Sequence, residues 1–183
     1  MISDAALMAR VAAGESAALA ELYRRWSTPL HRFLVRATSG RDAEDLQQET
    51  WLRVVRAADR FDPGRRFSTW LFQIALNLTR DWRRRPPPEP ADPTTLEMPG
   101  TDARPATDAG LDAERLLAAL PAPQREAVVL RYCQDLSEDE VAAILGCPRG
   151  TVKSRLHHAM KKLVSLVREP ERSSAGTEGG DAV

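Results

Sequence analysis

A chain of 183 residues, 43% of them hydrophobic and 28% charged, can hold one domain or two small ones. It contains no run of about 18 apolar residues to span a bilayer, and its N-terminus lacks the basic, apolar and small-residue order of a secretory signal, so a cytoplasmic location is expected. Lys+Arg and Asp+Glu balance at 26 each, which argues against a nucleic-acid partner only until charge is counted by segment.

Residues 1–85 hold 15 Arg against 10 acids, and residues 86–112 hold one Arg against six. Residues 113–168 hold nine Lys+Arg against six acids, and residues 169–183 hold one Arg against four. Two basic blocks therefore alternate with two acidic ones, and zero is an average over them.

Apolar residues recur at three and four positions with few β-branched runs, which predicts amphipathic helices, no sheet and an all-α chain. In the first block, helices are expected near 4–12, 16–38, 42–58 and 67–84. Pro29 is a candidate break in the second of these, and Asp62-Pro63-Gly64 supplies the turn before the fourth. From Arg83 to Gly110 the chain is rich in Pro, Asp, Thr and Ala, has no helical period and cannot build a core. Its prolines favour extended stretches. Beyond it, helices are expected near 111–119, 123–132, 138–145 and 148–168, and the tail after Arg168 is expected to be disordered. The organisation is thus two small helical domains, 1–85 and 111–168, joined by an acidic Pro-rich linker, 86–110, and followed by a tail, 169–183.

The helix DAEDLQQETWLRVVRAA opens with acids that complement the positive end of its dipole. Helix stability alone accounts for them, yet Glu44, Asp45, Gln48 and Glu49 also cluster within two turns, a polar surface on which another protein's basic or amide groups could dock. The next helix, FSTWLFQIALNLTRDWRRR, places Phe67, Leu71, Ile74 and Leu78 on one face and Gln73, Asn77, Arg80, Asp81 and Arg84 toward the other. Aromatic rings among positive charges suit stacking on unpaired bases. Phe67 and Phe72 are nevertheless read as core, while Trp70 and Trp82 fit either role.

In the second block, Ser137-Glu138-Asp139-Glu140 is a capping box. The helix it opens carries Val141, Ala142, Ile144 and Leu145 and stops at Gly146, which suits the left-handed position past a helix end. Pro148 then suits the first turn of the next helix. There Val152, Leu156, Ala159 and Leu163 share a face that packs on the preceding helices. Between Cys147 and Arg168 stand six Lys+Arg and no acid. A short capped helix, a tight turn and a long basic helix form a helix-turn-helix suited to the major groove. Lys153, Ser154, His157 and His158 then face the bases, with Arg149, Thr151 and Arg155 placed for phosphates.

No metal or other cofactor is expected. Cys133 and Cys147 form no C-x-x-C pair and read as reduced thiols, and adjacent His157 and His158 diverge by about 100° with no third ligand near. His31 and that pair offer no nucleophile and base at productive spacing, so the chain is not expected to be an enzyme.

These segments resemble the extracytoplasmic-function group of the sigma-70 superfamily over about residues 4–168, leaving out the linker's sequence and the tail. DAEDLQQETWLRV is similar to its polymerase-clamp-binding helix, FSTWLFQIALNLTRD to its minus-10 recognition and melting helix, and LPAPQREAVVLRYCQDLSEDEVAAILGCPRGTVKSRLHHAMKKL to its minus-35 module. The resemblance implies an alternative sigma factor that binds core RNA polymerase and recognises both promoter elements. It implies that Asp45, Gln48 and Glu49 contact the clamp helices of the largest polymerase subunit, and that the second module sits on the flap of the other large subunit. The loop from Arg60 through Arg65 and Arg66 would capture a flipped minus-10 base. Trp70 would stand at the melting position, Asn77, Arg80 and Arg84 would flank that strand, and Lys153, Ser154, His157 and His158 would read the minus-35 duplex. An anti-sigma protein is the implied regulator. Two departures stand out. Trp70-Leu71 replaces the Trp-Trp pair of primary sigma factors, and His157-His158 replaces the aromatic and Arg common in relatives. The alternative reading is a helix-turn-helix regulator that binds duplex DNA without polymerase.

Overall fold

The computed structural model describes residues 2–38, 40, 42–84 and 108–174, with side chains between 113 and 167 in the last of these stretches. Among them there are helices and turns and no strand. The expected linker lies outside the described residues except at its end, where 108–110 open a helix, and 175–183 of the expected tail also lie outside them. The chain divides into two compact units between Glu114 and Arg115.

In the first unit, α1 (Asp4–Ala12) is capped by Ser3, whose Oγ accepts from the Ala6 N–H at 3.2 Å. Asp4 lashes it to α2 (Ser16–Thr38), accepting from Arg25 at 2.8 Å and from the Trp26 indole at 3.0 Å. Pro29 lies inside α2 without ending it. Beside it, Gln47 of α3 (Ala43–Arg56) donates to the Ser27 carbonyl at 3.2 Å and meets His31 Nδ1 at 2.9 Å, binding the two helices at the point where the proline weakens the backbone ladder. A 3-10 turn (Ala58–Arg60) follows.

The centre of this unit is α4 (Phe67–Arg84), which is more deeply buried than a one-faced helix: Ser68, Thr69, Phe72, Ala75, Leu76 and Thr79 are covered along with Phe67, Leu71 and Leu78, while Ile74 is half-buried. Phe67 and Phe72 are 3% and 1% exposed and belong to the core. Phe72 meets Phe33 edge-on at 5.4 Å and Trp26 at 6.3 Å. Three of the buried threonines donate within their own helices, Thr38 to Leu34, Thr50 to Leu46 and Thr79 to Ala75, which limits the cost of burying them.

The division falls inside α5 (Asp108–Ala118), which is followed in the second unit by α6 (Ala122–Val128), running into a π turn at Val129–Cys133 where one helix to residue 132 was expected. The capping box forms as expected. Ser137 Oγ accepts from the Glu140 N–H at 3.3 Å, and Glu140 Oε2 accepts from the Ser137 N–H at 2.9 Å, opening α7 (Glu138–Leu145). Gly146 follows with φ 64°. The last helix, α8 (Arg149–Ser174), continues past Arg168, where a disordered tail was expected.

Candidate nucleic-acid interface and docking surface

The α7–α8 turn decides which residues of α8 face outward. Val152 and Ala159 are fully covered and Leu156 is 7% exposed, packed against α6 and α7. Helical periodicity then turns Lys153, Ser154, His157 and His158 outward, and all four are exposed. The two imidazoles lie edge-on with centroids 5.6 Å apart. A cluster of exposed donors on one helix, backed by a dry face, can enter a groove of duplex DNA.

The three residues expected at phosphates have different surroundings. Arg149 is exposed but engaged: its Nε donates to Glu138 Oε2 at 2.8 Å and Nη1 to Asp139 Oδ2 at 3.3 Å. This cross-turn pair ties the start of α8 to the start of α7. It holds the Glu138 carboxyl below its ordinary range, chiefly through the Arg149 hydrogen bond. A phosphate would have to draw Arg149 away from these acids. Arg155 is half-buried and donates to Cys147 Sγ at 3.8 Å, and Thr151 is half-buried.

In the first unit, Asp62 shapes the loop before α4, accepting from the Gly64 N–H on its side chain at 2.8 Å and from the Arg65 N–H on its carbonyl at 3.0 Å. A β-carbon at Gly64 would meet Asp62 Oδ1 at 3.2 Å, a tight contact that a small shift of that exposed carboxylate relieves. Arg65 and Arg66 are exposed on this loop, and Arg65 reaches Gln73 at 3.5 Å. Trp70 is half-buried against Phe61 at 5.2 Å and Phe67 at 6.2 Å, so one side of its ring is packed. Asn77 and Arg84 are exposed and Arg80 half-buried along one line of α4, with Arg84 3.7 Å from Asp81. Trp82 is half-buried with its indole N–H donating to Asp42 at 2.6 Å.

Asp45 and Gln48 are exposed on α3, whereas Glu49 is half-buried and paired with Arg53 at 3.0 Å. Beside them lies a cleft of about 580 Å³ between α2 and α3 that sequence reasoning missed. Leu19, Tyr23, Trp51, Leu52 and Val55 form its apolar part and His31, Glu44, Gln47 and Gln48 its polar part. Tyr23, Leu52 and Val55 are 48%, 50% and 43% exposed, and apolar side chains grouped on an open surface mark a docking site. The signal was present: α3 carries Leu46, Trp51 and Val54 for the core, so Leu52 and Val55 exceed what one buried face needs. No group of three or more His, Cys, Asp or Glu suited to a metal is found among the described residues. No described helix is long and apolar enough to cross a membrane.

Comparison with known proteins bears on both units. The family described as Sigma-70 region 2 matches residues 22–86, and the one described as Sigma-70, region 4 matches residues 111–163. The ECF RNA polymerase sigma factor SigM of Mycobacterium tuberculosis is 36% identical over 167 residues, covering 90% of this chain and 85% of that protein. CnrH, solved in complex with the cytosolic domain of CnrY, matches with a TM-score of 0.73 and 30% identity over 91% of this chain and 97% of its own. The sigma factor RpoE, solved with the anti-sigma factor NepR from Bartonella quintana, matches with a TM-score of 0.66 and 29% identity over 81% and 97%.

Proposed function

As a member of the extracytoplasmic-function sigma factors of the sigma-70 family, this chain is an alternative sigma factor that directs transcription initiation, and we propose that it divides the work among three surfaces. Lys153, Ser154, His157 and His158 read the minus-35 duplex from α8. The loop bearing Arg65 and Arg66, with Trp70, Asn77, Arg80 and Arg84 on α4, captures and opens the minus-10 element. Asp45, Gln48 and Glu49 dock on core polymerase, and the neighbouring apolar cleft adds desolvated area to that contact. The observation that carries this reading is the outward cluster on α8 behind a capped turn, with Val152, Leu156 and Ala159 buried behind it.

In this reading residues 1–85 and 111–168 are the two working domains and 86–110 is the link between them. The protein performs no chemistry of its own and holds no cofactor. Its positions relative to DNA are set by polymerase in the cytoplasm, and two weak DNA contacts act as one because both are held on a single platform. Arg149, Thr151 and Arg155 contact the phosphates of that duplex, Arg149 also fixing the turn through Glu138 and Asp139. A regulatory anti-sigma protein fits the company kept by the RpoE relative.

The test is run-off transcription with purified core polymerase on a library of promoter fragments, with the transcript ends sequenced. Defined starts that need the protein, with shared sequence near both upstream positions, are expected. Absence of such starts together with tight binding of the protein alone to duplex DNA would replace this reading by a conventional regulator.

A further inference from the structure

An arginine presents its donors in a fixed fork that fits carboxylate and phosphate alike. Arg149 is the first residue of α8, at the end of a recognition helix that meets DNA first, and its fork is already engaged. Nε donates to Glu138 Oε2 at 2.8 Å and Nη1 to Asp139 Oδ2 at 3.3 Å. Neither acid belongs to α8, which carries none between Arg149 and Arg168. Both come from the first turn of α7, brought beside the start of α8 by the turn at Gly146. Acids in that turn favour α7 through its dipole, which accounts for their presence and not for their hold on Arg149. The Arg149 hydrogen bond, and beyond it the charges of Lys153 and Arg131, keep the Glu138 carboxyl below its ordinary range. A carboxylate in the field of Lys153 stands at the edge assigned to the minus-35 duplex, where the incoming charge is also negative.

Arg149 therefore has two rival anions. With donors spent on the carboxylates, its fork cannot close on a phosphate, and releasing it leaves Glu138 and Asp139 unpaired beside the backbone of the duplex. Resting on the minus-35 assignment of α8 and the phosphate role of Arg149 above, we propose that Glu138 and Asp139 are an internal competitor for DNA. They occupy Arg149 in place of a phosphate and set the affinity of the minus-35 contact below what α8 could reach. Glu138 is the stronger member, because its bond is shorter and its side chain is 26% exposed against 71% for Asp139. The pair is open to water, so its hold is modest and a promoter can displace it. A minus-35 contact weakened in this way counts only when polymerase holds a second contact on the same platform, and the chain alone does not linger on duplex DNA.

The experiment uses the full chain assembled with core polymerase and a labelled duplex that spans the minus-35 element, without the minus-10 element, of a promoter mapped by run-off transcription. Affinity is read by fluorescence anisotropy across a series of salt concentrations. Glu138→Gln keeps the size and helix propensity of the side chain and removes its charge. It should bind about two- to fivefold more tightly, the scale of an exposed ion pair. Its affinity should also fall more steeply with salt, by up to about one unit of log–log slope for the phosphate that Arg149 gains. Asp139→Asn should show a smaller gain. In an Arg149→Ala background the gain from Glu138→Gln should shrink or vanish, because no fork remains to release. A role confined to the turn predicts the opposite sign, since losing the pair loosens α7 against α8. Unchanged or weaker binding by Glu138→Gln overturns the inference, and so does a gain undiminished in the Arg149→Ala background, which would mean plain repulsion of the duplex. If the wild-type assembly does not distinguish this duplex from one with the element scrambled, the minus-35 assignment falls and takes the inference with it. If it does distinguish them and Glu138→Gln matches the wild type, the inference alone falls.

Discussion

Lys153 and Arg149 carry the same charge one turn apart on α8, yet their surroundings assign them different work. Lys153 is exposed and acts on Glu138 only through its charge, whereas Arg149 is hydrogen-bonded to Glu138 and Asp139. Lys153→Ala should therefore weaken transcription from promoters that bear a minus-35 element without weakening core binding; run-off yields beside a core pull-down would show it, and equal loss in both would remove the assignment. Arg149→Ala should also act through the turn. Because the folded Glu138 carboxyl titrates below its ordinary range, the pair stabilises the fold above the ordinary carboxylate pKa, and that contribution is lost as pH falls through the depressed value. The melting temperature of Arg149→Ala should accordingly fall less steeply than that of the wild type when pH is lowered from neutral to well below about 4. Thermal melts across that range check the sign.

Helix starts and stops were legible where their chemistry is local. The Ser137–Glu140 box and Gly146 declare α7 within ten residues, and both form. Ser137→Ala should cost about 1 kcal/mol, and Gly146→Ala, which forces a β-carbon into the left-handed region, about 1–2 kcal/mol; denaturant titration of the full chain measures each. The features that sequence could not settle depend on distant partners. Pro29 sits within an unbroken α2 alongside a Gln47 that arrives from α3, and the role of Trp82 rests on Asp42, 40 residues earlier. Trp70 is half-committed to Phe61 in the preceding loop. The apolar side of the α2–α3 cleft is not legible in one helix because Leu19 and Tyr23 come from α2 and Trp51, Leu52 and Val55 from α3. Burying a charge there tests the cleft: Leu52→Glu should reduce core affinity about tenfold or more by leaving that charge desolvated at the interface, while far-UV dichroism stays that of the wild type.

At the scale of the whole chain, two small helical units share one polypeptide. Supplying residues 1–85 and 111–183 as separate chains should lower promoter-specific transcription strongly at equal concentration, because a covalent tether holds its partner at an effective concentration on the order of millimolar. Raising the concentration of the second piece should restore part of the activity, measured by run-off yield. The aromatic packing of the first unit has an optical consequence as well. All four tryptophans, Trp26, Trp51, Trp70 and Trp82, lie before residue 85, so emission excited beyond the tyrosine band reports on that unit and is blind to the other. An unfolding curve followed by this emission and one followed by dichroism should separate if the units melt independently. Polymerase docking beside Trp51, or strand capture beside Trp70, should shift the spectrum, while duplex DNA held by α8 alone should leave it unchanged.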